Sequence, residues 1–167
     1  MTVPPRVYLA GPDVFHPDHA RIFAERRSIC RRHGLEALVP TDNAATTALE
    51  IYEANVRLLR QCDAVIANIT PFRGPHCDAG TAWEMGYAAA IGAPVFAFSE
   101  ARGALRDRIR GTAPGPVDAT GMTVEDFGLG ENLMIAMSVI DRTIHGTFDT
   151  AAVATARHVT SRPLRRS

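Results

Sequence analysis

"DAVIANI", residues Asp63–Ile69, is the stretch of sequence that decides the fold. Apart from its first residue and Asn68 it is apolar, so it does not alternate between apolar and polar side chains. A strand of this composition is buried on both faces, which is typical of a parallel sheet with helices packed on both sides. Such a sheet requires strands and helices to alternate along the rest of the chain.

The patterns on both sides of this stretch show that alternation. Short apolar runs that end at Gly or Pro predict strands, and apolar residues three or four apart predict helices. The expected elements, in chain order, are strand Arg6–Ala10, helix Asp18–His33, strand Leu35–Val39, helix Leu49–Leu59, strand Asp63–Ile69, helix Ala79–Ile91, strand Pro94–Phe98, helix Ala101–Arg110, helix Glu131–Ile140 and helix Thr150–His158. Residues Gly111–Gly130, rich in Gly, Pro and Asp, are expected to be irregular.

This order of elements predicts the α/β class, with a doubly wound, mainly parallel sheet and helices on both faces. A chain of 167 residues is typical of a single domain. We expect that domain to span residues 1–160, with residues 161–167 forming a frayed, Arg-rich C-terminal tail.

The composition excludes several classes of function. The chain has 18 basic and 18 acidic residues and no basic run interleaved with aromatics, which argues against a nucleic-acid polymer or a membrane as partner. All 18 basic residues are Arg, so a Schiff-base lysine and a Walker A lysine are excluded. Three cysteines without C-x-x-C spacing and no visible signal peptide predict a reduced, cytoplasmic setting without structural zinc.

One carboxylate interrupts the most apolar predicted helix. From Ala79 to Ala93 the single charged residue is Glu84, and the residues three and four positions from it are uncharged and mostly small. A solvent-facing stripe is the ordinary explanation for a helical Glu, but no second charge is present to form that stripe. Because burying an unpaired carboxylate costs roughly several kcal/mol or raises its pKa, Glu84 is predicted to be a nucleophile or general base.

Two further residues are candidates to assist Glu84. Tyr8, near the end of the first strand, can supply the hydrogen-bond donor that an ionised carboxylate needs, although an ordinary core aromatic would show the same pattern. Asp78 stands at the expected N-cap of the helix and can lean over the same cavity, or act as a cap only. Two carboxylates flanking one sugar carbon are the arrangement of retaining glycosidases.

Five segments, taken together, resemble the nucleoside 2-deoxyribosyltransferase family. They are VYLAGPDVF (Val7–Phe15), PTDN (Pro40–Asn43), CDAVIANITPFRGP (Cys62–Pro75), DAGTAWEMGYAAAIG (Asp78–Gly92) and ENLMI (Glu131–Ile135). They occur in family order, and their spelling is closest to the branch that prefers purine nucleosides. The resemblance implies a flavodoxin-like fold and a double-displacement reaction on nucleosides and nucleobases, with no metal and no organic cofactor.

The resemblance also implies roles for particular residues. Glu84 is the nucleophile that attacks the anomeric carbon of a 2′-deoxynucleoside, Tyr8 orients it, and Asp78 takes part in base binding and proton transfer. Asn132, accompanied by Met134, reaches the sugar hydroxyls in a neighbouring subunit's site, so the site is complete only in a homo-oligomer, at least a dimer. A capped amphipathic helix in the core would explain the same segment.

The expected substrate-binding residues follow the strand ends and the matched motifs. They are Gly11, Asp13, Phe15, Asp42, Asn68, Phe72, Arg73, Gly80, Asn132 and Met134. Phe15, Phe72 and Trp83 are candidates to stack on a nucleobase, and Asp42 and Arg73 to hydrogen-bond a base or sugar; packing and surface charge are the alternatives. The candidate lids that would keep water from an intermediate are Asp13–Asp18, Thr41–Thr47 and Phe72–His76.

Three functions stay open at this point. The first is transfer of a 2-deoxyribosyl group between nucleobases. The second is hydrolysis of the N-glycosidic bond of nucleosides or their 5′-monophosphates, with Arg73 and His76 near the phosphate. The third is a non-catalytic nucleotide-binding module in which Glu84 holds a ribose hydroxyl.

Overall fold

The computed structural model describes residues 3–110 and 117–161, except for the side chain of Arg110. The strands are β1 (Arg6–Ala10), β2 (Glu36–Leu38), β3 (Ala64–Asn68), β4 (Val95–Phe98) and β5 (Val139–His145). The helices are α1 (His19–Arg32), α2 (Ala48–Gln61), α3 (Ala79–Ala90), α4 (Leu105–Arg110), α5 (Leu133–Ser138) and α6 (Phe148–Thr160), and a short 3-10 helix, Pro12–Phe15, follows β1. Within those two ranges, the helices lack the combination of length and apolar character needed to cross a membrane.

The five strands form one parallel sheet in the order β2-β1-β3-β4-β5. This is the order of flavodoxin-like folds, in which the direction of winding reverses between β1 and β3 and leaves a crevice for ligands. The predicted doubly wound α/β fold in a single domain is therefore confirmed.

Helices cover both faces of the sheet. Along β1, Val7 and Leu9 point to the face covered by α1 and α6, whereas Tyr8 and Ala10 point to the face covered by α2 and α3. Every residue of β3 is buried, as its uninterrupted apolar composition predicts for a central strand. The second face matters for function, because it carries the helix that holds Glu84.

Helix starts follow local capping signals. Thr47 and Glu50 form a capping box at the start of α2, in which each side chain accepts a hydrogen bond from the backbone N–H of the other residue. Asp78 caps α3, as predicted, by accepting from the backbone N–H of Thr81. Asp18 occupies the N-cap position of α1, but its side chain makes no capping bond.

The prediction of one helix over Glu131–Ile140 is wrong. The structure has a short helix, α5, followed directly by the edge strand β5, whose central residues are exposed. Val95 pairs with Val139 and Ala97 with Ile144, so two steps along β4 correspond to five along β5. The extra residues form a bulge that breaks the period-2 pattern by which a strand is recognised in sequence.

The other elements agree with the sequence to within a few residues, except that α4 begins four residues later than predicted. The predicted irregular segment is described only from residue 117, since residues 111–116 lie outside the described residues. The predicted frayed tail also lies outside them from residue 162 onward, so its boundary stays a prediction.

Candidate active site

A cleft of about 480 Å³ opens beyond the carboxyl ends of β1, β2 and β3. Its volume lies within the range of about 300–1,000 Å³ that small-molecule sites occupy. The residues that line it include Gly11, Phe15, Asn55, Asp78, Gly80 and Glu84. Among the described residues, no group of three or more His, Cys, Asp or Glu side chains is arranged to hold a metal ion.

Glu84 lies on α3 and reaches into this cleft. The hydroxyl of Tyr8, which is fully buried, donates a hydrogen bond to Glu84 Oε1 at 2.5 Å. The pKa of Glu84 is raised from 4.5 to about 7: burial raises it most, the hydrogen bond from Tyr8 lowers it, and the charge of Asp78 raises it. Burial and the charge of Glu84 raise the pKa of Tyr8, so the phenol keeps its proton and remains a donor.

Asp78 is the second carboxylate of the cleft. Its Oδ2 accepts from the backbone N–H of Thr81 at 2.9 Å and from the Thr81 hydroxyl at 3.1 Å. Gly80 lies beside it, and a Cβ atom added there would lie 3.0 Å from Asp78 Oδ2. Asp78 therefore both caps α3 and lines the cleft, and the nearby residue Gly80 leaves room for its carboxylate.

The loop after β1 is supported by a polar network. Arg26 donates two hydrogen bonds to the Asp13 carboxylate, at 2.5 and 2.8 Å, and the Asn68 amide donates to the same carboxylate. Gly11 has φ 156°, and a Cβ atom there would lie 2.7 Å from Asp13 Oδ2 and 2.8 Å from Asn68 Cβ. Gly11 and Phe15 line the cleft, whereas Asp13 and Asn68 lie behind that wall.

An aromatic stack lies beside the cleft. The rings of Phe15 and Phe72 are stacked with centroids 5.4 Å apart and an interplanar angle of 15°. The Arg73 guanidinium lies over both rings, 5.2 Å from the Phe15 centroid and 4.6 Å from the Phe72 centroid. Of these three residues, Phe15 lines the cleft. Asp42 does not line it: its carboxylate accepts hydrogen bonds from Arg27 and from the backbone N–H of Val39, whereas Thr41 and Asn43 on either side of it face the cleft.

Three of the expected site residues, Asn132, Met134 and Trp83, do not line the cleft of their own chain. Asn132 caps α5 by accepting from the backbone N–H of Met134, and Met134 is 73% exposed. Trp83 is exposed on α3, where its ring stacks on Tyr87 and tilts against Tyr52. Stacking of Trp83 on a nucleobase within its own subunit is therefore not supported by the geometry.

Asn55 is a cleft residue that the sequence reading did not identify. It lies on α2 and lines the cleft, and its buried Oδ1 atom is without a hydrogen-bond partner among the described residues. A buried, unsatisfied amide oxygen costs about 1–3 kcal/mol, so its presence beside a ligand site is informative. The sequence feature that could have identified Asn55 is its position beside the apolar stripe of α2, one residue before Val56 and three after Tyr52.

Glu131 is a second residue that the sequence reading passed over, although it belongs to a quoted motif. It is 1% exposed, and its carboxylate accepts from His76 Nδ1, from the backbone N–H of Cys77 and from the backbone N–H of Asn132, each at 2.8 Å. It therefore joins the segment before Asp78 to the segment that holds Asn132.

The cleft, with two carboxylates at the point where the sheet reverses its winding, is suited to reactions at a sugar carbon. Comparison with known proteins agrees with this class. The family model described as nucleoside 2-deoxyribosyltransferase matches residues 7–134. A protein of Schizosaccharomyces pombe described as uncharacterized is 34% identical over 182 residues, covering 88% of this chain and 86% of that protein.

Solved structures extend the comparison. A 2-desoxiribosyltransferase from Leishmania mexicana is 36% identical, with a TM-score of 0.81 and coverage of 93% of this chain and 99% of that chain. A 2-deoxyribosyltransferase from Bacillus psychrosaccharolyticus is 20% identical, with a TM-score of 0.51 and coverage of 80% and 82%, and it supports the fold alone.

The chain belongs to the nucleoside 2-deoxyribosyltransferase family, which confirms the resemblance seen in the sequence. Its general class of activity is transfer of a deoxyribosyl group or cleavage of an N-glycosidic bond.

Proposed function

We propose that this protein transfers the 2-deoxyribosyl group between nucleobases by double displacement, through a covalent glycosyl-Glu84 intermediate. The observation that carries this proposal is the Glu84 carboxylate inside the cleft, held at 2.5 Å by the Tyr8 hydroxyl and accompanied by Asp78. A buried carboxylate near an anomeric carbon stabilises the positive charge of an oxocarbenium-like transition state and then bonds to that carbon.

The two half-reactions use the same groups in opposite directions. A Glu84 oxygen bonds to C1′ while the bond from C1′ to the base nitrogen breaks, and the bonding electrons leave with the base. Asp78 passes a proton to the leaving base. The incoming base then attacks C1′ and displaces Glu84, and Asp78 takes up the proton that the incoming base releases.

Purine deoxynucleosides are the substrates we favour. Phe15 presents an aromatic ring to the cleft, which suits stacking on a flat base. Asn55 lines the cleft, and its amide N–H₂ can donate a hydrogen bond to a ring nitrogen of the base. Gly80 keeps the space beside the Asp78 carboxylate open.

We also propose that the working form is a homo-oligomer in which Asn132 completes a neighbouring subunit's site. The helices α2, α3 and α5 share one side of the sheet and expose an apolar surface, here called the helical face. Its large exposed residues are Leu49, Tyr52, Trp83, Met134 and Met137. Pairing such a face with another copy would remove its apolar side chains from water and bring Asn132 toward a second cleft.

The test is a base-exchange assay with deoxyinosine and free adenine, read by chromatography. The wild type is expected to accumulate deoxyadenosine, and Glu84→Ala is expected to lose exchange by a factor of about 10³ or more, because no covalent intermediate forms. Glu25→Ala, which removes an exposed glutamate on α1, is the matched control and should retain exchange. Unchanged exchange in Glu84→Ala would refute the mechanism.

Hydrolysis is the second candidate, and one observation favours it. Phe15, Thr41 and Asn43 at the rim of the cleft are exposed, so water has access to the site in this conformation. The same assay distinguishes the two functions, since a hydrolase would release free deoxyribose without forming deoxyadenosine. Binding of deoxyinosine with neither product would indicate the non-catalytic module. The cytoplasmic setting stays a prediction.

A further inference from the structure

A second cavity, of about 470 Å³, lies beyond the carboxyl ends of β4 and β5. It is about as large as the catalytic cleft, and the described residues that line it are different ones. It is not used by the mechanism above, although ligands of doubly wound sheets bind along this same edge. Its polar side chains come from Ser99, Glu100, Arg102, Arg142 and His145.

The two arginines of this cavity are available for a ligand. The ion pairs of Arg side chains involve Arg21, Arg26, Arg27, Arg32, Arg57 and Arg106. In the described part of the chain, Arg102 and Arg142 have no such partner. Guanidinium groups that face a concave surface without a carboxylate partner are suited to bidentate recognition of an anion.

The backbone conformation of β5 that brings Arg142 to the cavity is energetically unfavourable. Asp141 and Arg142 both have φ 54°, a left-handed conformation that is unfavourable for residues with a Cβ atom. They lie in the bulge where β5 has more residues than β4. Bulges of this kind redirect a side chain, and here the redirected side chain is the Arg142 guanidinium.

We propose that this second cavity binds a sugar phosphate, with its phosphate group held between Arg102 and Arg142. A phosphate monoester has three terminal oxygens and nearly two negative charges. It therefore matches two guanidinium groups better than a ligand with a single carboxylate would. The Glu100 carboxylate, on the same wall, can accept hydrogen bonds from sugar hydroxyls. Ala136 and Ile144 provide an apolar surface for the carbon side of the sugar ring.

The second cavity also has a physical connection to the catalytic cleft. The backbone N–H of Glu100 donates to the Thr70 hydroxyl at 3.1 Å, and the Thr70 N–H donates to Asn68 Oδ1 at 3.1 Å. Gly130 lines the second cavity and directly precedes Glu131, which bonds the segment before Asp78.

Isothermal titration calorimetry with ribose 5-phosphate tests the proposal directly. The wild type is expected to bind ribose 5-phosphate and not ribose, and Arg142→Gln and Arg102→Gln should each weaken binding about tenfold or more, because each removes charge-assisted hydrogen bonds. Arg21→Gln, which changes an exposed arginine on α1, is the control and should bind as the wild type does. Circular dichroism confirms that each variant is folded, and the second arginine variant replaces the first if one fails to fold.

Four outcomes would overturn the proposal. The first is no binding of ribose 5-phosphate up to about 10 mM, a weak limit on the affinity scale. The second is binding that both arginine variants leave unchanged. The third is loss of binding in Asp78→Asn with retention in the arginine variants, which would place the ligand in the catalytic cleft. The fourth is equal binding of citrate with the same arginine dependence, which would show an anion site without preference for phosphate.

Discussion

The pairing of Glu84 with Tyr8 sets the ionisation of the carboxylate that we propose as the nucleophile. The pKa of Glu84 is raised to about 7, mainly by burial, although the hydrogen bond from Tyr8 lowers it. A carboxylate with a pKa near the working pH is ionised often enough to attack and basic enough to form a bond to carbon. Tyr8 can have this effect because it is fully buried and keeps its own proton.

The pH profile of base exchange is expected to reflect this pair. In the wild type, kcat/KM should rise with pH around the pKa of Glu84, about 7, and level off above it, because the ionised form is the nucleophile in the proposed mechanism. Tyr8→Phe removes the donor that lowers this pKa, so the acid limb should move up by about one to two pH units. Tyr52→Phe, which removes an exposed hydroxyl on α2, is the control. An acid limb at the same pH in Tyr8→Phe and wild type would contradict the assigned role.

The raised pKa of Glu84 also predicts a pH-dependent cost in stability. The folded chain holds the proton of Glu84 up to about pH 7 and the unfolded chain only to about 4.5, so the wild type loses stability as the pH rises through this window. Glu84→Gln removes this loss. The difference in free energy of unfolding between Glu84→Gln and the wild type should therefore favour the variant more at pH 8 than at pH 4. The change in this difference should be about 3 kcal/mol at most, because the side chain is partly exposed. Urea unfolding at the two pH values measures the difference, and equal values would disprove it.

At the scale of elements, Glu131 joins the starts of two helices, α3 and α5. Asp78 caps α3 and Asn132 caps α5, and the Glu131 carboxylate bonds the residue before one cap and the N–H of the other. A buried carboxylate with three donors keeps its position, whereas donors left without it would be buried and unsatisfied. The relative placement of α3 and α5 is therefore coupled to one side chain.

Replacing Glu131 is expected to cost far more than replacing its exposed partner. Glu131→Ala leaves two backbone N–H groups without an acceptor and should lower the free energy of unfolding by about 3 kcal/mol or more. His76→Ala removes the half-exposed end of the same network and should cost less than about 1 kcal/mol. Urea denaturation of both variants provides the comparison, and similar costs would show that Glu131 does not organise the segment.

At the scale of the whole molecule, the two sides of the sheet differ in character, and the helical face lies on only one of them. The side covered by α1 and α6 encloses its apolar residues, as Phe23 and Phe148 show. On the other side, Trp83, Met134 and Met137 remain exposed although they belong to helices that pack on the sheet. An apolar surface of this kind is typical of contact between subunits.

A charge placed on the helical face should disrupt both assembly and activity. Met137→Glu is expected to shift sedimentation velocity toward the monomer and to reduce base exchange strongly, because in the proposed oligomer Asn132 would no longer complete a neighbouring site. Ala24→Glu places the same charge on an exposed position of α1, on the opposite side of the sheet, and should change neither property. If Met137→Glu were monomeric and fully active, the site would not depend on a second subunit.

The sequence by itself determined the alternation of strands and helices, the burial of β3 and the isolated carboxylate of α3. These features depend on the spacing of neighbouring residues, which the local backbone converts directly into periodicity and caps. Glu84 could be singled out for the same reason, since a lone charge in an apolar helix is visible without knowledge of the fold.

Only the tertiary structure decided which distant groups meet. The contact of Glu131 with Cys77 spans 54 residues, and the Asp13 carboxylate is engaged by Arg26 and Asn68 behind the cleft wall. The bulged edge strand β5 has no regular pattern and exists because its backbone pairs with β4. The physical reason is common to these cases: hydrogen bonds and close packing between remote segments depend on where the sheet places them, and local spacing carries no record of that placement.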